Sequence, residues 1–292
     1  MDYAGLFKEF NIPTEYKSKG WINVICPYCG TTSFHLGFNI AHDYSNCFKC
    51  GGHNLRMALK KVLNIPETTL SEILEPFQTK NKILKKLNNK ENLNKKKIEL
   101  PEYPLSKTEQ DYLLKRHFNP KELIRSFNIQ GGGWVGEWKN RIIIPIYISG
   151  KLITYVGRTI IPDREPRYKF LSNEESVINP KKIFFNLDNC SNSYAVLLEG
   201  LFDVMRFGND SICGFGITLT REQVWYLSER FKKIYIIFDN ERGAVKKARE
   251  YAVLLSGHGL EVFIVDIADY GVKDIGEMSP YKIKLLKKEM FN

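Results

Sequence analysis

Residues 194–200, YAVLLEG, and residues 233–241, KIYIIFDNE, are the stretches whose reading decides the fold. Each is a short apolar run with β-branched or aromatic members, the composition of a strand buried on both faces rather than of a helix. Each also ends on acid: Glu199 closes the first, and Asp239 and Glu241 close the second. Working outward, YAVLLEG leads into LFDVMRFGN, and SICGFG (211–216) leads into LTREQVWYLSERF. KIYIIFD then leads into RGAVKKAREYAVLLSGHG, which returns as LEVFIVDI (260–267). Apolar strands alternating with helical segments predict an α/β fold, a parallel sheet with helices on both faces. Carboxylates at the C-terminal tips of parallel strands are the usual way such sheets present a divalent cation to a ligand. A single acid at a strand end is equally well a turn or helix cap. The inference therefore rests on the set, Glu199, Asp239 and Glu241, with Lys273-Asp274-Ile275-Gly276-Glu277 as a further acidic loop beyond the last strand.

Upstream, RIIIPIYI (141–148), a Ser149-Gly150 turn and KLITYVGRT (151–159) have the pattern of a β-hairpin. LSKTEQDYLLKRHF and NPKELIRSFNI, which precede it, read as short helices, with Pro120 suited to a helix start. Together they predict an α+β subdomain. Arg141 and Arg158 bracket the hairpin strands, and Arg167, Lys169, Lys181 and Lys182 follow. Cations clustered ahead of an acidic sheet suit phosphate binding, since phosphates need positive charge opposite a metal.

Nearer the N-terminus, Cys26-Pro27-Tyr28-Cys29-Gly30 and Cys47-Phe48-Lys49-Cys50-Gly51 form two C-x2-C knuckles within a small β lobe. Four thiolates at this spacing predict a closed tetrahedral zinc site, structural because no coordination position stays open. So small a lobe is expected to have little apolar core and to draw folding energy from the metal. His35, His42 and His53 are expected at the surface or facing nucleic acid rather than as ligands. Phe34, His35, Phe48 and Lys49 suit stacking on single-stranded bases, with Phe34 or Phe48 alternatively filling the lobe's core. YAGLFKEFNI (3–12) and NLRMALKKVLNI (54–65) have helical periodicity. TKNKILKKLNNKENLNKKK (79–97) reads as a flexible basic linker.

The 292-residue chain carries a formal charge of +10, which points to a polyanionic partner. No run is apolar enough to span a bilayer and the N-terminus lacks a signal-peptide layout. Nucleic acid is thereby favoured over a lipid surface, and the cytoplasm as the location. There is no P-loop and no Ser/His/Asp arrangement, and Cys190 and Cys213 are expected as buried apolar residues.

In this order the parts resemble the DNA primases of the bacterial DnaG type, including phage relatives. Glu199-Gly200-Leu201-Phe202-Asp203 is similar to the E-G-x-x-D signature of a Toprim fold, and Asp239-Asn240-Glu241 to its D-x-D segment. Lys273-Asp274 with Glu277 is similar to its later acidic loop. NRIIIPI, GR and YKFL are similar to the family's R-x-x-x-P-I, G-G-R and K-Y-L segments. The resemblance implies template-directed synthesis of short RNA primers on single-stranded DNA from ribonucleoside triphosphates. It implies Mg²⁺ or Mn²⁺ on Glu199, Asp239 and Glu241, with Asp274 in support and Asp203 behind them. It puts Arg141, Arg158 and Lys169 on template and nucleotide phosphates, and the ribbon on the template start site. A replicative helicase is the implied partner, and a bacterial cytoplasm, with possible phage origin, the implied setting.

The sequence departs from the family at Glu241, where an aspartate is usual, and in an all-cysteine ribbon where many bacterial relatives carry one histidine. Only about fifteen residues follow Glu277, so no large helicase-binding domain is expected after it. The expected division is a zinc-ribbon domain over 1–75, a linker over 76–104, a basic subdomain over 105–191, a Toprim subdomain over 192–277 and a helix over 278–292. The alternatives are a non-catalytic zinc-plus-Toprim recombination mediator and a Toprim nuclease.

Overall fold

The computed structural model describes residues 1–16, 18, 20–30, 32–77, 98–216 and 218–291; the basic linker expected over 79–97 lies outside them. The chain forms two compact units. One comprises Met1–Lys85, Thr218–Ile236 and Lys246–Ile264, the other Lys86–Ile217, Ile237–Val245 and Val265–Asn292.

The N-terminal lobe runs α1 (Tyr3–Glu9), β1 (Trp21–Val24), β2 (Leu36–Asn39), β3 (Ser45–Cys47), β4 (Gly51–His53), α2 (Leu55–Leu63) and α3 (Glu67–Leu74). Its strands pair antiparallel in the order β1-β2-β3-β4. Asp2 caps α1 by accepting from the Gly5 amide, and Asn54 caps α2 by accepting from the Met57 amide. The lobe is not poor in core, contrary to the expectation from its size. Tyr3, Leu6 and Phe7 of α1, Leu36 and Phe38 of β2, and Ala58, Leu59, Leu63, Leu70 and Leu74 of α2 and α3 close around Ile22 and Val24 of β1. Phe38 is the aromatic centre, 5.0 Å from the ring of Phe7 and 5.4 Å from that of Tyr3. Neither Phe34 nor Phe48 plays that part: Phe34 is half-buried and Phe48 is 72% exposed. The missing element in the sequence reading is α3, whose threonines and modest length give a weak helical pattern.

The basic subdomain opens with α4 (Lys107–Lys115), fixed by a Ser106/Glu109 capping box, and α5 (Pro120–Phe127), with proline at its first position. β5 (Gln130–Gly131), β6 (Arg141–Ile148), β7 (Lys151–Thr159) and β8 (Tyr168–Phe170) form an antiparallel sheet in that order. The hairpin has the expected ends. Ser149 and Gly150 both take positive φ, as a two-residue type I′ turn requires, and Asp188 accepts from both of their amides.

The α/β sheet comprises β9 (Tyr194–Leu198), β10 (Ser211–Cys213), β11 (Lys233–Ile237) and β12 (Glu261–Ile264), in the order β10-β9-β11-β12. β9 is parallel to β10, and β11 to β12. The connecting helices are α6 (Leu201–Phe207), α7 (Arg221–Arg230) and α8 (Arg242–Gly257), and α9 (Pro280–Phe291) follows the last acidic loop. The strand order advances one way from β9 to β10 and the other way to β11 and β12. Open α/β sheets bind ligands at the carboxyl ends of their strands. Those ends carry Glu199 and Asp239.

Within the first unit the ribbon packs on α7 and α8. Asp43 pairs with Arg221, and the His258 Nε2 lies 2.6 Å from the His42 carbonyl oxygen. Tyr44 lies so close to Gly257 that a Cβ there would stand 3.1 Å from the tyrosine Cβ. His42 is therefore not a free surface residue. No helix among the described residues is long and apolar enough to cross a membrane.

Candidate active site and metal centre

The knuckles come first, because their geometry is the most complete. Cys26 lies two residues beyond the end of β1, and Cys47 and Cys50 span the turn from β3 to β4. Gly30 and Gly51, the residues after each pair, take φ of +60° and +87°, which lets the backbone fold under the sulfurs. Cys26 and Cys50 sulfurs are 3.7 Å apart, Cys29 and Cys47 sulfurs 3.8 Å, and all four lie within 4.8 Å of one another. A tetrahedron with Zn–S bonds of about 2.3 Å has edges of about 3.8 Å, so the four thiols fit zinc. Burial raises the Cys26 thiol above its ordinary value, with its sulfur neighbours adding to the shift. A divalent cation reverses that by stabilising thiolates. His53 is not at large on the surface. Its Nε2 is 3.1 Å from the Cys50 sulfur, and its ring stacks on Tyr28 at 3.8 Å.

The acids gather in the other unit. Glu199 follows β9, Asp203 lies in the first turn of α6, Asp239 and Glu241 follow β11, and Asp274 begins the turn Ile275–Glu277. Asp203 accepts through one oxygen from the Gly200 amide (2.8 Å) and through the other from the Gly276 amide (2.9 Å). It thereby ties the β9–α6 turn to the last acidic loop. Its carboxyl is pushed up to about 7, by burial first and then by the charges of Asp274 and Asp239, against the lowering effect of those two amides. Asp239 is pushed up to about 6, again by burial first, then by Glu199, Asp274 and Glu241, with Lys273 opposing. In each carboxyl the acidic neighbours add to a shift that burial begins.

Two of the acids have partners that draw them aside. Glu241 pairs with the Lys273 Nζ at 2.8 Å, and Asp274 accepts from the Glu277 amide at 2.9 Å as the cap of its turn. Among the described residues, the four cysteines are the only group of three or more candidate ligands whose atoms converge. The acids are close enough to feel one another and are not drawn onto a single point.

The three cations implied by the resemblance have different surroundings. Arg141 is 2% exposed and donates from Nη1 to the Gly157 carbonyl and from Nη2 to the Pro166 carbonyl, each at 3.0 Å. Its two terminal nitrogens are committed to backbone while its Nε is buried without a partner, so it braces the hairpin. Arg158 donates to the Tyr112 hydroxyl at 3.2 Å and lies 4.8 Å from the ring centre of Tyr168 and 5.8 Å from that of Phe202. Lys169 reaches Glu137 at 2.5 Å and sits over Trp138. The sequence reading did not single out Arg116 and Arg206. Arg206 donates to the carbonyls of Gly276, His117 and Arg116, holding the turn after α4 against the acidic loop. No local pattern marks such residues, because their partners lie 70 to 90 positions away.

No protein-family profile matches the chain. In sequence it is 31% identical over 135 residues to a DNA primase of Aquifex aeolicus, covering 43% of this chain and 27% of that relative. It is 29% identical over 154 residues to a DNA primase of Synechococcus elongatus, covering 47% of this chain and 22% of the relative. The chain thus spans well under two thirds of the length of these curated relatives. In structure it matches a DnaG primase catalytic domain solved with bound single-stranded DNA, with a TM-score of 0.51 and 17% identity, over 65% of this chain and 72% of that one. The chain has the fold of the DnaG-type primase catalytic core, with a four-cysteine ribbon ahead of it.

Proposed function

We propose that this chain is a DNA primase, a metal-dependent nucleotidyltransferase that synthesises short RNA primers on a single-stranded DNA template. The observation that carries the reading is the crowding of Glu199, Asp203, Asp239, Glu241 and Asp274 in one unit, with two carboxyls raised by burial first and then by their acidic neighbours. An all-oxygen set of this kind fits a hard divalent cation. Glu199, Asp239 and Glu241 would hold Mg²⁺ or Mn²⁺, with Asp274 in support. Such an ion, when bound, neutralises triphosphate charge and makes the primer hydroxyl a better nucleophile.

The chain's own residues do the rest. Asp203 fixes the spacing of two acidic loops through the Gly200 and Gly276 amides. Arg158 and Lys169 contact template or nucleotide phosphates, and Arg141 stiffens the strand that carries Arg158. Phe48 and Lys49, both exposed on the ribbon, meet the template near the start site. On this reading residues 1–75 form the template reader and residues 105–191 and 192–277 the polymerase core. Ribonucleoside triphosphates are the substrates, a replicative helicase is the partner, and the bacterial cytoplasm is the site of action. The Glu241–Lys273 ion pair favours one rival, a non-catalytic recombination mediator in which that pair is permanent.

One incubation separates the readings: single-stranded DNA, labelled ribonucleotides and Mg²⁺ or Mn²⁺. Short RNA products are expected, and Asp239→Ala should abolish them while leaving strand binding within about threefold, as a group acting in the transition state does. Cut DNA would indicate a nuclease, and tight binding with no product a mediator. Unchanged synthesis by Asp239→Ala overturns the site assignment.

A further inference from the structure

The four sulfurs of the ribbon are not equally protected. Cys26 and Cys47 are buried, Cys29 is half-buried and Cys50 is exposed. The two buried sulfurs are held by backbone: Cys26 accepts from the Tyr28 and Cys29 amides, and Cys47 from the Lys49 amide at 3.4 Å. Cys50 has no such amide among the described residues. Apart from the other sulfurs, its polar neighbour there is a side chain, the His53 imidazole, with Nε2 3.1 Å from the Cys50 sulfur.

Three features set that ring in place. Gly51 takes a φ of +87°, so the chain turns directly from Cys50 into β4. His53 pairs with Ser45 in the β3–β4 ladder, and the Ser45 Oγ donates to the His53 carbonyl at 3.0 Å. The imidazole stacks on Tyr28, with ring centres 3.8 Å apart and planes at 9°, and the Lys61 Nζ lies 4.3 Å from the centre of the same tyrosine ring. Tyr28 stands between Cys26 and Cys29, so the stack joins one knuckle to the other. The convergent set, with every atom within 4.8 Å of the others, is the four sulfurs without a His53 nitrogen, which puts the imidazole outside the coordination sphere. Four thiolates on one divalent cation carry a net negative charge. An N–H donor to sulfur spreads that charge and fixes the ligand's orientation.

We propose that His53 is a positioning residue of the zinc centre: its Nε2–H donates to the Cys50 thiolate and holds that exposed ligand on the metal. Backbone guards the buried sulfurs, and this side chain guards the sulfur open to chelators and thiol reagents. The inference rests on the zinc reading of the four cysteines and not on primer synthesis.

The experiment takes the whole zinc-loaded chain and follows metal loss to excess chelator with a colorimetric zinc indicator, with thermal melting of each variant at saturating zinc. His53→Phe keeps a ring over Tyr28 and removes the donor. It should lose zinc about tenfold faster, the lower end of what outer partners of a metal ligand contribute. His53→Gln brings an amide N–H toward the same point and should fall between. Cobalt gives a readout that packing alone does not move. In the Co²⁺-substituted protein, loss of an N–H donor raises electron density on the sulfur. The thiolate-to-cobalt charge-transfer band should therefore shift to lower energy in His53→Phe and return toward wild type in His53→Gln. Should His53→Phe melt early even with zinc, His53→Ala takes its place beside His53→Gln. A wild-type rate of zinc loss or an unshifted band in a folded His53→Phe or, failing that, His53→Ala overturns the proposal. So does a wild-type cobalt spectrum of three sulfurs and one nitrogen, which would make His53 the ligand in place of Cys50. A wild type that takes up no zinc removes the metal site and this proposal with it.

Discussion

At the scale of single residues, two glycines stand where a side chain would crowd its neighbours. Gly157 sits opposite Ile143 in the hairpin, and a Cβ there would stand 2.8 Å from the Trp138 ring and 3.1 Å from the Arg141 Cδ. The G-R pair is thus a packing device: the bare backbone lets Arg141 reach the Gly157 carbonyl, and that strand then delivers Arg158. Gly157→Ala should cost about 1 to 3 kcal/mol of stability through overpacking, read by urea denaturation. Gly276 is less tightly confined: a Cβ there would press on the Asp203 and Asp274 carboxylates at 3.0 and 3.1 Å. The acids themselves were legible from sequence because a carboxylate ending an apolar run breaks an otherwise uniform pattern. The commitments of Arg141 and Arg206 were not legible, since both depend on which carbonyls and rings arrive from distant positions. Nor does a sequence say that Glu241 and Lys273 reach each other. Lys273→Ala should release Glu241 and lower the Mg²⁺ concentration needed for half-maximal synthesis if that carboxylate is a ligand; an unchanged metal requirement would remove Glu241 from the set.

At the scale of elements, the strands and most helices follow from pattern alone: alternating β and α segments, caps at Asp2, Asn54 and Ser106, and a two-residue turn at Ser149-Gly150. The ribbon is where size misleads. Its helices supply a core that a bare zinc knuckle lacks, so metal and apolar burial share the work of folding. Leu59→Ala, at a fully buried position, should cost about 2 to 5 kcal/mol with zinc present, measured by chemical denaturation. Chelation should lower the lobe's stability while leaving much of its helical circular dichroism, and complete loss of that signal would assign folding to the metal alone. The ribbon's seat on α7 and α8 carries a titratable contact. Burial lowers His258 below its ordinary value of 6.5, with His42 and Arg221 adding and the His42 carbonyl and Asp43 opposing. The folded state therefore resists protonation that the unfolded state accepts. Stability is unaffected above the unfolded value and is lost as pH falls through it. Between about pH 7 and about pH 5, His258→Gln should lose less stability than wild type, with zinc release common to both.

At the scale of the whole molecule, one compact unit draws on three separate stretches of chain, and Asp43 meets Arg221 across 178 positions. Periodicity finds elements because it is local. It is silent on such contacts, which are set by how elements pack. The net charge of +10 belongs to this scale too. If the chain neutralises about three phosphates, its affinity for single-stranded DNA should fall roughly twentyfold between about 50 and 200 mM salt, and a salt-independent affinity would remove the polyanion from the account. The thiols have a practical consequence. Cys190 and Cys213 are 5% and 0% exposed, and the remaining four face one another in the ribbon. With zinc bound, then, the protein offers no ready thiol to a maleimide dye. One cysteine introduced at Phe48, on the ribbon's outer face, would be a unique attachment point for a fluorophore, with no need to strip the native ones first.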